Sequence, residues 1–168
     1  MWGYNKIKGG VYLKRVYSKK DFRSYTSMGK ILSDLDLDKK DYLWLINDIE
    51  AFPHKQEYQE LINNNSYLLL NTSELINMLK EDDFQWVWAV FSAIPSSYKR
   101  EDILKYDIPY CQYFDEGQYN PYVDEPRIQH PYAELEIYAA DSSYMFMITE
   151  NDELISKFKE CYPKYIEK

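Results

Sequence analysis

The chain has 168 residues, of which 45% are hydrophobic and 29% are charged, and its formal net charge is -8 at pH 7. This length suits a single domain that buries its own core, and the composition excludes a disordered chain. The two cysteines lack metal-ligand spacing and exclude a disulfide framework, so we expect a reducing, cytoplasmic environment. The sequence contains neither a signal-peptide core nor a run of about 18 apolar residues, which argues against export and membrane insertion.

Charge is distributed unevenly along the chain. Residues 1–31 hold eight basic side chains and one acidic side chain, a charge of +7, whereas the rest hold 12 basic and 27 acidic groups, a charge of -15. This asymmetry indicates either two binding faces or a basic segment folded against an acidic body, and the second interpretation is the simpler one. Tyrosine is unusually frequent, with 18 copies.

The first half of the chain predicts alternating strands and helices. Gly9-Gly10 predicts a hairpin turn, and Ser18 followed by Asp21 predicts the start of an amphipathic helix that includes Met28 and Leu32. The next segments predict, in order, a strand, a helix, a short buried strand and a helix capped by Asn71 or Thr72, over residues 41–53, 54–65, 66–70 and 71–82.

The segment DFQWVWAVFSAIP, residues 83–95, predicts a central strand. Simple alternation would place Trp86 and Trp88 on the same side of it. Residues 86–94 are apolar at nearly every position, which is typical of a strand covered on both faces. We therefore expect both tryptophans in the core, with the edge of a pocket as the alternative.

The last third of the chain predicts one or two helical turns after Pro95, a long loop over residues 107–132, and a strand-turn-strand-helix unit. Alternation predicts that Leu135, Ile137 and Ala139 face the core of a half-buried strand. The other face would then expose Glu134, Glu136 and Tyr138. Thr149 and Asp152 predict the capping box of the last helix, whose inner face comprises Leu154, Ile155, Phe158 and Cys161. Together these elements predict one α+β domain over residues 1–168, with a mostly antiparallel sheet and packed amphipathic helices.

Motifs for catalysis, metal binding and cofactor binding are not found. The chain has two histidines and five glycines, so histidine-based triads, zinc sites and phosphate-binding loops lack support. Asp48 with Glu50, and Glu134 with Glu136, lie at strand spacing, but no lysine follows either pair as a metal-dependent nuclease would need. We predict no catalytic residue, no metal and no cofactor. The alternative is a small enzyme or ligand-binding domain with a cleft lined by Asp48, Glu50, Trp86 and Trp88.

The long loop carries the main functional hypothesis, because it interleaves tyrosines with carboxylates. Tyrosine gives contact area with few rotatable bonds, and carboxylates attract a basic protein. Nucleic-acid binding by the basic residues 1–31 is disfavoured, because the acidic remainder would repel a polyanion. The predicted partner-binding residues are Tyr110, Tyr113, Asp115, Glu116, Tyr119, Tyr122, Asp124, Glu125, Glu134, Glu136 and Tyr138.

Three stretches, QWVWAVFSAIP, IQHPYAELEIYAADSS and ELISKFKECYP, are similar to segments of small uncharacterised bacterial proteins of toxin-immunity gene clusters. The resemblance covers residues 83–163 and includes no catalytic motif. It implies a cytoplasmic α+β protein that binds and blocks a cognate toxin, commonly a basic nuclease. The first functional hypothesis is therefore an immunity or inhibitor-like protein that occludes a basic partner.

Overall fold

One antiparallel sheet organises the fold of residues 10–14, 27–108, 128–140, 142, 144–163 and 166–167, which the computed structural model describes. Within these ranges the strands are β1 Gly10–Lys14, β2 Tyr42–Phe52, β3 Tyr67–Asn71, β4 Gln85–Pro95, β5 Leu135–Ala140, β6 Tyr144–Thr149 and β7 Ile166–Glu167. Their order across the 7-stranded sheet is β3-β2-β4-β5-β6-β1-β7. All neighbouring strands are antiparallel. The fold class is α+β, as the sequence predicts.

Four longer helices pack on one face of the sheet. They are α1 Met28–Asp34, α2 Gln56–Asn63, α3 Thr72–Glu81 and, after a short α4 at Arg100–Ile103, α5 Asp152–Cys161; a 3-10 turn occupies Leu37–Lys39. Their apolar residues form the main core with inward-facing residues of the sheet, such as Trp44, Phe91 and Ile137. This face is called the helix-covered face below.

The opposite face of the sheet is also buried. Val90, Tyr138 and Phe146 form one apolar cluster on it, and Leu43 and Leu45 belong to a second cluster that includes Ile103 of α4. Strand β4 contributes to the clusters on both faces, so the prediction of a strand covered on both sides is confirmed.

The N-cap of α3 agrees with the sequence prediction, whereas the N-cap of α5 does not. Asn71 caps α3, one of the two predicted caps, and forms a capping box with Glu74: the Glu74 N–H donates to Asn71 Oδ1 at 2.9 Å and the Asn71 N–H donates to Glu74 Oε2 at 2.7 Å. For α5 the cap is Asn151, whose side chain accepts a hydrogen bond from the Leu154 N–H. The predicted Thr149 cap is therefore wrong. The Thr149 hydroxyl instead donates to the Glu134 carbonyl.

Burial corrects three further predictions. Strand β3 was expected to be buried, but it lies at the edge of the sheet and Leu68 is its one buried residue. All six residues of β5 are buried, so the expected half-exposed strand is wrong. Cys161 is exposed, not on the inner face of α5. The first arm of the predicted N-terminal hairpin lies outside the described residues, and β1, its second arm, pairs with β6 and β7.

Candidate protein-binding surface

Three tyrosines pack against one another at one end of the sheet. The Tyr98 and Tyr132 rings stack at 4.1 Å between centroids and 15° between planes. The Tyr106 ring meets Tyr132 edge-on at 5.2 Å and 83°. Tyr98 is 38% exposed and Tyr106 is 43% exposed. We call Tyr98, Tyr106 and Tyr132 the tyrosine cluster.

Short turns at this end of the sheet hold the tyrosine cluster. Tyr98 lies in the turn that follows β4, where its N–H donates to the Pro95 carbonyl. Tyr106 follows α4, and its N–H donates to the carbonyl of Ile103, a residue buried beneath this end of the sheet. A second apolar side chain of the same turn, Leu104, is 41% exposed. The sequence thus brings large apolar groups to the surface from two separate turns.

The buried side chain of His130 holds Tyr132, the central ring of the cluster, in place. Its Nδ1 accepts a hydrogen bond from the Tyr132 N–H at 3.2 Å, so its proton lies on Nε2, which donates to the Ile103 carbonyl at 3.3 Å. The imidazole is 1% exposed, and burial lowers its pKa. The hydrogen bond with the Tyr106 hydroxyl raises the pKa of Tyr132. His130 is therefore a neutral structural support for the tyrosines.

Glu136 anchors the segment that carries His130 onto the sheet. Its Oε1 accepts hydrogen bonds from the Gln129 N–H at 3.0 Å, the His130 N–H at 3.2 Å and the Ser92 hydroxyl at 3.1 Å. Its Oε2 accepts from the Tyr138 hydroxyl at 2.5 Å. Burial raises the pKa of Glu136, and these four donors act in the opposite direction.

The predicted exposure of Glu136 and Tyr138 is wrong, because both side chains are fully buried. The Tyr138 ring stacks on Phe146 at 4.3 Å within the apolar cluster of the opposite face. Polar and apolar residues alternate along β5, but this alternation separates two buried faces of the strand. One of these faces contains the Glu136 carboxylate, which accepts four hydrogen bonds. Neither residue is available to a partner.

Glu134 is exposed, as predicted, and is held in place. The Tyr42 hydroxyl donates a hydrogen bond to Oε2 of Glu134 at 3.0 Å. Burial of Tyr42 is the main cause, and the Glu134 carboxylate the second, of a rise in the pKa of Tyr42 to about 12. Both residues line an open groove of about 660 Å³ that also includes Glu150 and the start of α5. Glu134 lies two residues after Tyr132, so a fixed carboxylate adjoins the tyrosine cluster along the chain.

The alternative cleft lined by Asp48, Glu50, Trp86 and Trp88 does not form as predicted. Trp86 belongs to the core on the helix-covered face, where it contacts Phe91, whereas Trp88 packs against the cluster on the opposite face. Register shifts between β2 and β4 cause this separation, because β4 has an extra residue between the Glu50–Trp88 and Ala51–Trp86 pairs.

A second irregularity lies on β2. Asp48 adopts a left-handed backbone conformation with φ 51°, and β2 has an extra residue there. Strand spacing therefore does not describe the relation between the half-buried Asp48 and the exposed Glu50. In the described part of the chain, no group of three or more His, Cys, Asp or Glu residues could hold a metal ion.

Eight predicted tyrosines and acids of the loop fall within residues 109–127, outside the described ranges, so their contribution remains a prediction. They are Tyr110, Tyr113, Asp115, Glu116, Tyr119, Tyr122, Asp124 and Glu125. Tyr98 and Tyr106, which flank the short helix α4, are not among the predicted partner-binding residues. The signal that could have identified them is the pair of tyrosines on either side of one polar helical turn.

Comparisons with known proteins do not identify the chain. No protein-family model, curated protein or solved structure matches it. Within the described ranges, every helix is too short or too polar to span a bilayer. The geometry and charge of the surface are therefore the features that bear on function.

Proposed function

We propose that the chain is an immunity or inhibitor-like protein that binds a basic protein partner and occludes its working surface. The observation that carries this proposal is the tyrosine cluster, in which the exposed rings of Tyr98 and Tyr106 both pack on the half-buried Tyr132 before any partner binds. Preordered tyrosines lose little conformational entropy on association, and tyrosine is enriched among residues that dominate binding energy. A nuclease toxin is the partner that the bacterial resemblance implies.

Charge supports a basic partner. Residues 32–168 carry a charge of -15, and the five carboxylates of the loop that follows Tyr106 lie in this region. Two cations near the tyrosine cluster are already paired, Lys105 with Asp102 at 2.5 Å and Arg100 with Glu74 at 3.3 Å. An arginine or lysine of the partner could contact the tyrosine faces while the acidic surface attracts it over longer range.

The mechanism we propose is steric occlusion, with no chemical step. Aromatic anchors would hold the partner, and the fixed carboxylate of Glu134 would meet its basic groups at the rim. The separation of Trp86 from Trp88 removes the geometric basis of the alternative cleft. We therefore propose no second function.

The test is affinity capture from the native host with three baits of the chain. The first is wild type, the second carries Tyr98→Ala and Tyr106→Ala, and the third carries Phe52→Ala. Phe52 is the last residue of β2 and is 63% exposed. Tyr42, at the other end of β2, lies near the tyrosine cluster, so Phe52 is an exposed aromatic control far from the cluster. We expect wild type and Phe52→Ala to capture the same basic protein and the tyrosine variant to lose it. Capture that is equal for all three baits would reject the tyrosine cluster as the binding surface.

A further inference from the structure

Strand β3 forms an outer edge of the sheet and pairs with β2 along its inner side. The Leu69 carbonyl accepts a 2.5 Å hydrogen bond from Nη1 of Arg100, and the Asn71 N–H donates a 2.7 Å bond to Oε2 of Glu74. In an antiparallel strand, the N–H and C=O of one residue point to the same side, and residues two apart share that side. Leu69 and Asn71 therefore direct their backbone polar groups outward, away from β2.

The two side chains that meet this edge are joined to each other. Nη2 of Arg100 lies 3.3 Å from Oε2 of Glu74, the same oxygen that accepts from Asn71. Arg100 begins α4 and Glu74 lies in the first turn of α3, so residues from two helices meet over one strand. We call this pair the edge bridge. The edge bridge thus occupies the outward-facing carbonyl of Leu69 and the outward-facing N–H of Asn71.

An unprotected edge of this kind is a template for strand pairing. The strand sequence is YLLLN, four of its five residues are half-buried, and none of its side chains is charged. Exposed edges without charge are the sites at which sheets add a further strand from another chain. A second copy of the chain would bring the same strand, and two antiparallel copies of β3 would pair symmetrically about a twofold axis.

We propose that the edge bridge closes β3 against strand-to-strand pairing with a second copy of the chain. A guanidinium suits this role because its planar fork can donate to a carbonyl and a carboxylate together. To pair with β3, another strand would have to displace Arg100 from the Leu69 carbonyl and Glu74 from the Asn71 N–H. This inference does not depend on the proposed function.

Two variants test the proposal by independent routes. Arg100→Ala removes the bridge, and Glu74→Gln weakens its ion pair while the side-chain oxygen can still accept from Asn71. Lys99→Ala is the matched control, because Lys99 is an exposed cation one residue before Arg100. Sedimentation velocity over a hundredfold range of concentration gives the mass of each protein. We expect Arg100→Ala to shift toward a dimer as concentration rises, Glu74→Gln to shift less, and Lys99→Ala to match wild type.

Hydrogen exchange locates the contact. If β3 pairs with itself, the outward-facing Leu69 amide should exchange more slowly at high concentration in Arg100→Ala and at an unchanged rate in wild type. An Arg100→Ala variant that stays folded with the wild-type mass at every concentration would overturn the proposal. So would association that leaves exchange in β3 unchanged. If Arg100→Ala does not fold, Glu74→Gln decides by the same two readouts.

Discussion

Trp86 and Trp88 lie on opposite faces of the sheet although they are two residues apart on β4. Trp86 is fully buried between Phe84 and Phe91, whereas Trp88 is half-buried. We expect Trp86→Ala to lower the free energy of unfolding by about 3–5 kcal/mol, because it empties a large site in the main core. Trp88→Ala should cost less. Urea denaturation of both variants measures the difference, and equal losses would contradict the separation of the two side chains.

Asp82 holds the start of α2 from a distant position in the chain. Its buried carboxylate accepts from the backbone N–H groups of His54 and Lys55, each at 2.8 Å, and from the His54 ring at 2.7 Å. Burial acts to raise the pKa of Asp82, but these hydrogen bonds outweigh it and lower the pKa below its usual value. We expect Asp82→Ala to lose about 1–3 kcal/mol of stability at pH 7.

The pH dependence of this loss has a definite sign. Because the folded state lowers the pKa of Asp82, its contribution is complete above the usual aspartate pKa of about 3.9 and disappears as the pH falls through the folded-state value. Urea denaturation at pH 7 and at successively lower pH measures it. Asp83→Ala is the control, since Asp83 is an exposed neighbour. An Asp82→Ala variant as stable as the Asp83 control at pH 7 would refute the capping role.

The contribution of Glu136 to stability should depend on pH in the opposite direction to that of Asp82. Its pKa is raised by burial, so the folded state binds a proton more tightly than the unfolded chain does. The stability of wild type relative to Glu136→Gln should therefore be highest below the usual glutamate pKa of about 4.3 and fall as the pH rises above it. Paired denaturation curves from pH 4 to pH 8 measure this difference. A stability difference that is constant or grows with pH would contradict the assignment.

How far the sequence predicts the fold depends on what covers each face. Hydrophobic periodicity correctly predicts β2, α2, α3, β4 and β6, because the pattern of each element depends only on the residues of that element. The burial of Glu136 could not be predicted, because its four donors come from Ser92, Tyr138 and backbone groups of a different segment. Alternation along β5 distinguishes two faces but does not tell whether the second face meets water.

The candidate surface was predictable only in part for a similar reason. Glu134 is exposed as expected, but Tyr98, Tyr106 and Tyr132 come together through tertiary contacts between three separate turns. The separation of Trp86 and Trp88 depends on register shifts between β2 and β4, and no residue type in either strand signals them. Local patterns therefore identify the elements, whereas the site depends on how they pair.

The acidic loop predicts an effect on the rate of association. Replacing Asp115, Glu116, Asp124 and Glu125 with lysine should slow binding to a basic partner, because long-range attraction mainly sets the association rate. Thermal denaturation should show little change. Stopped-flow kinetics at low and at physiological salt measure the effect, which salt should reduce. Association rates equal to those of wild type at low salt would exclude the loop from the binding surface.

The most direct test of the central claim is the dissociation constant of the chain and its captured basic partner, measured by calorimetry. We expect Tyr98→Ala with Tyr106→Ala to weaken binding by at least about 30-fold, which corresponds to about 2 kcal/mol, while Phe52→Ala binds as wild type does. Circular dichroism should confirm that all three proteins remain folded. A folded tyrosine variant that binds the partner with wild-type affinity would contradict the account.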